Sequence, residues 1–444
     1  MKKRRQFDRL FQGRLYHEPA ASQRFDIVAE VAISPARRAT FEALLRVERD
    51  AAYSDAVLHS HLLDDLDRRG RALVTEIVMG CLRRRGELDF LLSGRLSKPV
   101  RSLDIEVRTA LRIGAYQLRC MAHVSAGAAV SDSVDLVKAA RKRSAAGLVN
   151  AVLRNLPEAL SIEESARHSH PDWLTDRWRT NLGEAALQQF LRANICRPPT
   201  YVRLTSGANG PDTIKELTIK ELGSEGVALD PTAVENAFRV SGGNVSNSRA
   251  AKDGRLVVQG LGSQLVAPLL SVEAGHRVLD LCSAPGGKAR QLAEVAPVVA
   301  ADRHAHRLRT MRALGAKGLR LLSLDAEHPL PFRAQFDRVL VDAPCSGTGT
   351  LARNPEIKWR LKPSDLDELH ARQVKILSNA LDVVAPNGRL IYSTCSLEPE
   401  ENEHVVAEVL DNRSQSSSHK VLDRLPGRDA GDGFQAWLIS RNEG

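Results

Sequence analysis

From about Leu256 onward the chain alternates short apolar runs with amphipathic ones, and this alternation constrains the fold more than any other feature. Strands are predicted at Arg277–Leu281, Pro297–Ala301, Leu319–Leu324, Arg338–Val341, Arg389–Ser393 and Phe434–Ile439. Between them lie helical runs such as LDELHARQVKILSNALDVV, residues 366–384. Repeated strand–helix–strand units require a mainly parallel, doubly wound sheet, and such sheets bind ligands at the carboxyl ends of their strands.

The preceding residues follow another grammar. From Ser34 to about Pro157, apolar residues recur every three or four positions, as in ARRATFEALLRVE and EVRTALRIGAYQL, and strand signals are absent. This predicts an all-α domain. A further helical stretch ends at Pro198-Pro199, before a short strand at Thr200–Leu204. Residues 205–255 are rich in Gly, Ser and Asn and predict a small connecting subdomain with loops. The expected organisation is a basic arm over 1–33, a helical domain over 34–160, a connecting subdomain over 161–255 and an α/β domain over 256–444. A length of 444 residues suits two or three domains.

Charge separates the same regions. Residues 1–150 hold 27 Lys and Arg against 18 Asp and Glu, whereas the remainder holds 36 of each. The excess points to a basic N-terminal module that attracts a polyanion, with Arg83-Arg84-Arg85 and Arg141-Lys142-Arg143 as candidate phosphate contacts. No apolar run approaches the ~20 residues of a membrane span, and the basic N-terminus lacks the apolar segment of a secretory signal. The six cysteines form no CxxC pair and are widely spaced, which argues against a disulfide framework or a zinc site. A reducing cytoplasm, no metal and no membrane are the expectations.

VLDLCSAPGGKARQLAE (278–294) reads as a buried strand, a glycine turn and a helix. Such a turn lets the backbone approach a ligand, and the helix start offers free N–H groups. It is not GxGxxG, so a pyrophosphate-binding nicotinamide enzyme is disfavoured. The next two strands end in Asp302 and Asp325, placed to meet ribose hydroxyls and an adenine amino group. One such acid could be a helix cap. With Asp280, three successive strands carry acids beside a glycine turn, and the ligand this describes is adenosyl-like without a pyrophosphate. S-adenosylmethionine fits.

Two cysteines stand in matching positions. VDAPCSGTG runs off the fourth strand into Asp342 and Cys345, and YSTCSLEPEEN runs off the fifth into Cys395. A buried cysteine is usually a small hydrophobe, which suffices for Cys81 and Cys120. In polar turns at adjacent strand ends that reading is the weaker one. Carbon 5 of cytosine is too weak a nucleophile to accept a methyl group unaided. A thiolate adding to carbon 6 makes carbon 5 enamine-like, splitting one hard step into easier ones.

LDLCSAPGGK, VDAPCSGTGTLARNPEIKW, IYSTCSLEPEENE and LPGRDAGDGF together resemble the Sun-type RNA cytosine-carbon-5 methyltransferases, over nearly the whole chain. The helical domain resembles the NusB antitermination-factor domain found in the bacterial branch, so an all-α NusB-like domain plus a Rossmann-like methyltransferase domain is the implied fold. The resemblance implies that Cys395 is the nucleophile and that Cys345 assists release of the methylated base. It implies an S-adenosylmethionine pocket lined by Cys282, Ser283, Ala284, Pro285, Gly286, Gly287, Lys288, Asp302, Asp325 and Asp342, with Asp342 nearest the reacting groups. Lys358 and Trp359 would lie near the RNA. Two positions depart from the family pattern: Gly260, where an acid is common, and Thr205, where an asparagine is common. The implied partner is small-subunit (16S) ribosomal RNA, free or partly assembled, bound by a monomer. Two rivals remain: a DNA cytosine methyltransferase, in which the Cys345 thiol would attack, and an assembly or antitermination-type RNA-binding protein with a vestigial methyltransferase domain.

Overall fold

The computed structural model describes residues 33–205, 212–313, 318–411 and 413–442. The basic arm expected over 1–33 lies outside them except for Ile33. By mutual contact the chain forms two units. One runs to Arg197 and takes in Leu351–Arg360; the other holds Pro198–Thr350 and everything from Leu361 onward.

The first unit is helical: α1 (Pro35–Arg49), α2 (Ser54–Leu58), α3 (Arg68–Arg83), α4 (Arg85–Ser93), α5 (Ile105–Cys120), α6 (Ala126–Ala139), α7 (Ala146–Arg154), α8 (Ile162–His168), α9 (Asp172–Leu182) and α10 (Glu184–Ile195). Their starts follow local chemistry. Ser34 accepts the Arg37 N–H with Pro35 at the first helical position, Asp67 caps α3, and Ser161 with Glu164 forms a capping box at α8. Val74, Ile77, Leu111, Leu136 and Val149 are buried in one core. Residues 161–197, read from the sequence with the connecting stretch, pack in this unit, where Ser165 Oγ donates to the buried Glu87 at 2.9 Å.

Leu351–Arg360 is a ten-residue segment of the α/β sequence that the helical unit encloses. Glu356, 2 % exposed, accepts from Ser54 N at 2.9 Å and from Ser54 Oγ. Arg360 donates to the carbonyls of Val47 and Ala52 at 2.8 and 2.6 Å. Lys358 is buried and donates to the Arg83 carbonyl at 2.8 Å. Burial and the neighbouring Arg83 charge hold its ammonium well below the ordinary lysine range. Trp359 lies beneath the Arg85 guanidinium, 5.1 Å from its ring centre. Lys358 is therefore an interior side chain, which corrects the expectation that it faces RNA.

The first arginine cluster requires the same correction. Arg83 is 7 % exposed and donates to the Ala352 carbonyl at 2.7 Å. Arg84 pairs with Glu87 at 2.8 Å, and Arg85 lies 3.7 Å from Glu48. These charges are paired or enclosed and do not form a solvated patch. Arg141 and Arg143 of the second cluster are exposed.

The connecting stretch forms a small subdomain with a sheet of its own. β1 (Thr200–Leu204), β2 (Ala228–Pro231), β3 (Ala237–Gly242) and β4 (Leu256–Val258) form an antiparallel sheet in the order β2-β3-β1-β4, with α11 (Asp212–Ser224) beside it. β1 matches the strand read at Thr200–Leu204, whereas β2, β3 and β4 escape detection because they are short and set among Ser, Gly and Asp. Thr205, one of the departing positions, bonds locally through its N–H and hydroxyl to the Arg255 and Gly254 carbonyls.

The second sheet has seven strands: β5 (Val278–Leu281), β6 (Val298–Asp302), β7 (Leu319–Ser323), β8 (Phe336–Asp342), β9 (Val384–Thr394), β10 (Ser416–Arg424) and β11 (Phe434–Arg441), in the order β10-β11-β9-β8-β5-β6-β7. The five from β9 to β7 are parallel; β11 and β10 close one edge antiparallel. β10 (SSSHKVLDR) has no apolar alternation and could not be read from the sequence. Side chains alternate between two cores. Leu279, Leu281, Val339, Val341, Leu390 and Tyr392 meet α14 (Pro363–Asp382) and α15 (Glu403–Leu410) on one face. Val278, Leu340 and Ile391 meet α12 (Gly287–Leu292) and α13 (Ala305–Ala313) on the other. Each such side chain removed from water contributes roughly 1.5–3 kcal/mol, so the register of every central strand is strongly specified.

The position of Lys358 makes a testable statement. Its depressed pKa means that the native state holds fewer protons than the unfolded chain below the ordinary value of 10.5, so stability rises with pH up to that value. Urea denaturation between pH 7 and 9.5 should show this slope in the wild type. It should be reduced in Lys358→Met, whose affinity for RNA should match the wild type. An RNA affinity reduced tenfold in the folded variant would return Lys358 to the RNA surface.

Candidate functional site

Strand order reverses at β5, with β6 and β7 to one side and β8 and β9 to the other. The loops leaving β5, β6, β8 and β9 consequently open at a common edge. After β5 the chain turns through Cys282 (φ 60°), a cis Ala284–Pro285 bond and Gly286 (φ 98°) before entering α12. Burial pushes the Cys282 thiol well above its ordinary range, with the charge of Asp302 adding to the effect, so Cys282 is a structural thiol in this turn.

Asp302, 4 % exposed at the end of β6, holds the turn from the side. One carboxylate oxygen accepts the Ala284 N–H at 3.2 Å and the other accepts the His304 N–H at 2.8 Å. Asp325, just beyond β7, accepts the Glu327 N–H at 3.0 Å. Asp280 is the unexpected acid. It is 1 % exposed, neither carboxyl oxygen has a partner among the described residues, and burial with the nearby Asp342 charge raises its pKa well above the carboxylate range.

On the other side of β5, the aligned pair Asp342 and Ser393 ends the β8–β9 ladder. Ser393 Oγ donates to Asp342 Oδ1 at 3.0 Å, and Lys288 Nζ pairs with Asp342 Oδ2 at 2.7 Å. Lys288 also lies 4.9 Å from the Phe434 ring centre. Cys345 and Cys395 converge to 3.4 Å between sulfurs. The hydrogen bond with Cys395, burial, and the charges of Cys395, Glu401 and Asp342 all push the Cys345 thiol well above its ordinary range.

Two further motifs hold these loops. The Gly349 N–H donates to the Cys395 carbonyl at 2.9 Å, and the Gly433 N–H donates to the Gly349 carbonyl at 2.8 Å. A Cβ on Gly349 would lie 2.7 Å from the Gly433 oxygen and 2.9 Å from the Cys395 oxygen, so only glycine permits this approach. CSGTG, STCS and GDGF are thus one packed unit. The departure at Gly260 has a local reason as well. A side chain there would begin 2.7 Å from Asp432 Oδ2, so an acid would meet a carboxylate already in place.

The structure brings together the residues of the glycine turn, Lys288, Asp302 and Asp342 around β5, and places Asp325 at the next strand end. Sequence reading missed the roles of Ser393 and of Glu401. Glu401 is fully buried and bonded to Ser346 and Ser396, the residues that follow the two cysteines. The only signal was its place in an acid-rich turn too short to be a solvated charge run. Among the described residues no cluster of His, Cys, Asp or Glu is arranged to hold a metal ion, and no helix is long and apolar enough to cross a membrane.

A mainly parallel sheet with a glycine turn after its first strand, and a helical module encoded ahead of it, define an α/β methyltransferase-type fold with an N-terminal accessory domain. Residues 267–437 match the model of the 16S rRNA methyltransferase RsmB/F, and residues 34–158 match the NusB family. The chain is 33 % identical over 398 residues to the ribosomal RNA small subunit methyltransferase B of Klebsiella pneumoniae (strain 342), an alignment covering 84 % of this chain and 91 % of that one. It is 30 % identical over 393 residues to the probable enzyme of the same name from Bacillus subtilis (strain 168), covering 83 % and 87 %. A crystal structure of PH0851 superposes with a TM-score of 0.76 at 24 % identity, over 93 % of this chain and all of that one. The chain belongs to the RsmB/F family of 16S rRNA methyltransferases.

Asp280 provides a test of the site's electrostatics. Because its proton is retained in the native state, stability falls as pH rises above the ordinary carboxyl value of 3.8. Thermal unfolding of Asp280→Asn between pH 5 and 8 should show a smaller loss of Tm with pH than the wild type. Parallel curves would mean that Asp280 ionises normally in the folded protein.

Proposed function

We propose that the protein transfers a methyl group from S-adenosylmethionine to carbon 5 of a cytosine in 16S ribosomal RNA, through a covalent bond between Cys395 and carbon 6. The observation that carries this reading is the 3.4 Å approach of the Cys345 and Cys395 sulfurs beside the fixed Asp342 carboxylate. A thiol at the reacting edge fits an acceptor carbon that must be activated by covalent addition.

The residues present fit the cofactor. The turn from Cys282 to Lys288 exposes backbone at a left-handed Gly286 and carries no pyrophosphate-binding pattern. Asp302 and Asp325 spend one set of lone pairs on backbone N–H groups and keep others for hydroxyl and amino donors. The unpartnered Asp280 carboxyl adds a buried polar group beneath the turn. S-adenosylmethionine, when bound, supplies an electrophilic methyl group.

The chain's own residues do the rest. The Cys395 thiolate adds to carbon 6, forming the sulfur–carbon bond and moving the ring's π electrons toward carbon 5. Asp342, oriented by Lys288 and Ser393, meets the polar edge of the base. After methylation a base removes the carbon 5 proton. That bond pair restores the ring double bond, and the Cys395 sulfur leaves with its own pair. Cys345 belongs to this release stage. Ribosomal RNA as partner is supported by the family match and by the excess of basic residues before residue 151. A vestigial methyltransferase domain is disfavoured because both thiols and the Lys288–Asp342 pair are in place.

The order of bond changes separates the thiols. With RNA and S-adenosylmethionine, Cys395→Ala should give neither 5-methylcytosine nor a covalent protein–RNA band on denaturing gels. Cys345→Ala should form the band and fail to resolve it, because a group required for elimination cannot prevent the addition before it. A band in the Cys395→Ala lane and none in the Cys345→Ala lane would reverse the assignment. Bisulfite sequencing of the RNA checks the carbon 5 product.

A further inference from the structure

The roles above leave Glu401 unused, although its carboxylate accepts four hydrogen bonds near the thiols. It is 0 % exposed. One of its oxygens accepts from the Ser346 N–H at 2.7 Å and from Gln373 Nε2 at 3.1 Å. The other accepts from both Ser346 Oγ and Ser396 Oγ. Those two hydroxyls are themselves 3.0 Å apart. All four donors are uncharged, and they come from the β8 loop, the β9 loop and α14. A carboxylate buried without a cation is costly unless its lone pairs are filled. A helix cap or turn stabiliser would bond only its own turn, whereas three of these four contacts reach Ser346 and Gln373 on other segments.

We propose that Glu401 is the positioning residue of the site: one carboxylate clasps the residues that directly follow Cys345 and Cys395, and thereby sets the separation and orientation of the two sulfurs. The proposal rests on the reading that the two thiols act in sequence on one base. Ser346 and Ser396 each lie one peptide from a reacting sulfur, so a shift at the clasp is transmitted to the thiols with little loss. Gln373 extends the device, since its Nε2 also donates to the Pro344 carbonyl at 2.9 Å, on the other side of Cys345.

The clasp has two states. Burial pushes the Glu401 carboxyl up to about 7, against the lowering effect of the serine hydrogen bonds. The groups facing it are Glu398 in its own turn, Tyr392 from β9, Cys345 with Asp342 behind it from the β8 loop, and Gln373 from α14. His370, a turn earlier on α14, is bonded to the Glu400 carbonyl and the Glu408 carboxylate. Above about pH 7 the ionised carboxylate accepts all four bonds and adds its charge to those that push the Cys345 thiol upward. Below that value the acid must donate from one oxygen, and the clasp loses part of its acceptor capacity.

Steady-state kinetics and thiol alkylation test this on the full chain. Glu401→Ala should lower kcat about 100-fold, the scale of a misplacement of about 1 Å, with KM for RNA and for S-adenosylmethionine within about threefold. Glu401→Gln, which keeps the shape and the neutral form, should recover part of that loss and abolish the limb of the pH–rate profile near 7. Removing the charge should also raise iodoacetamide alkylation of Cys345 at pH 8 several-fold in Glu401→Gln, read by mass spectrometry of the Cys345 peptide. If Glu401→Ala does not fold by circular dichroism, Ser346→Ala/Ser396→Ala removes the two hydroxyl arms and takes its place under the same criterion. A folded Glu401→Ala enzyme with kcat within twofold of wild type overturns the proposal. So does unchanged Cys345 alkylation in Glu401→Gln, a readout that stands even if the wild type fails to methylate cytosine, which would overturn the proposed reaction and not the clasp.

Discussion

The parallel pairing of β8 with β9 is the constraint on which the rest of the site depends. Its register sets Asp342 opposite Ser393. Because both strands run the same way, the residues after them leave the sheet side by side. Cys345 and Cys395 lie 50 positions apart and meet at 3.4 Å. An antiparallel pair would have sent the two loops to opposite edges. Register is in turn enforced by burial on both faces: a slip of one residue would exchange Val339 and Val341 with Leu340 and deliver polar side chains to a core.

Electrostatics at this edge are dominated by burial. Asp280 and Glu401 both have raised pKa values, and both lack a cation. Asp342 differs because Lys288 and Ser393 occupy its two oxygens. The site thus contains a carboxylate whose two oxygens are bonded by Lys288 and Ser393, and two carboxyls pushed toward neutrality by their surroundings. The same surroundings, with the hydrogen bond to Cys395, push the Cys345 thiol upward. Divided roles for chemically similar groups follow from environment and not from residue type.

The helical unit shows how little local charge reveals alone. Arg83, Arg84 and Arg85 look like a phosphate-binding run, yet each is drawn into contacts with Ala352, Glu87 or Trp359. Arg112 is similarly committed, bonding both oxygens of Asp89 at 2.7 and 2.9 Å and one oxygen of Glu48 at 2.8 Å. Part of the positive excess of the N-terminal third is consumed inside the fold. Arg141 and Arg143 of the second cluster, by contrast, are exposed.

Periodicity alone determined the helical first part, the parallel sheet, the carboxyl-end placement of the glycine turn and the paired cysteines, because each is a pattern within a few residues or an alternation of such patterns. Beyond β1, the small antiparallel sheet and β10 were illegible for the same reason: very short or polar strands carry little periodic signal and are stabilised by their neighbours. Only tertiary structure decided that Leu351–Arg360 lies inside the helical unit, that Lys358 is interior, and that Glu401 joins the two cysteine loops. Those facts depend on residues tens to hundreds of positions apart. A charged side chain reads as solvated until the fold supplies buried partners that make its burial tolerable.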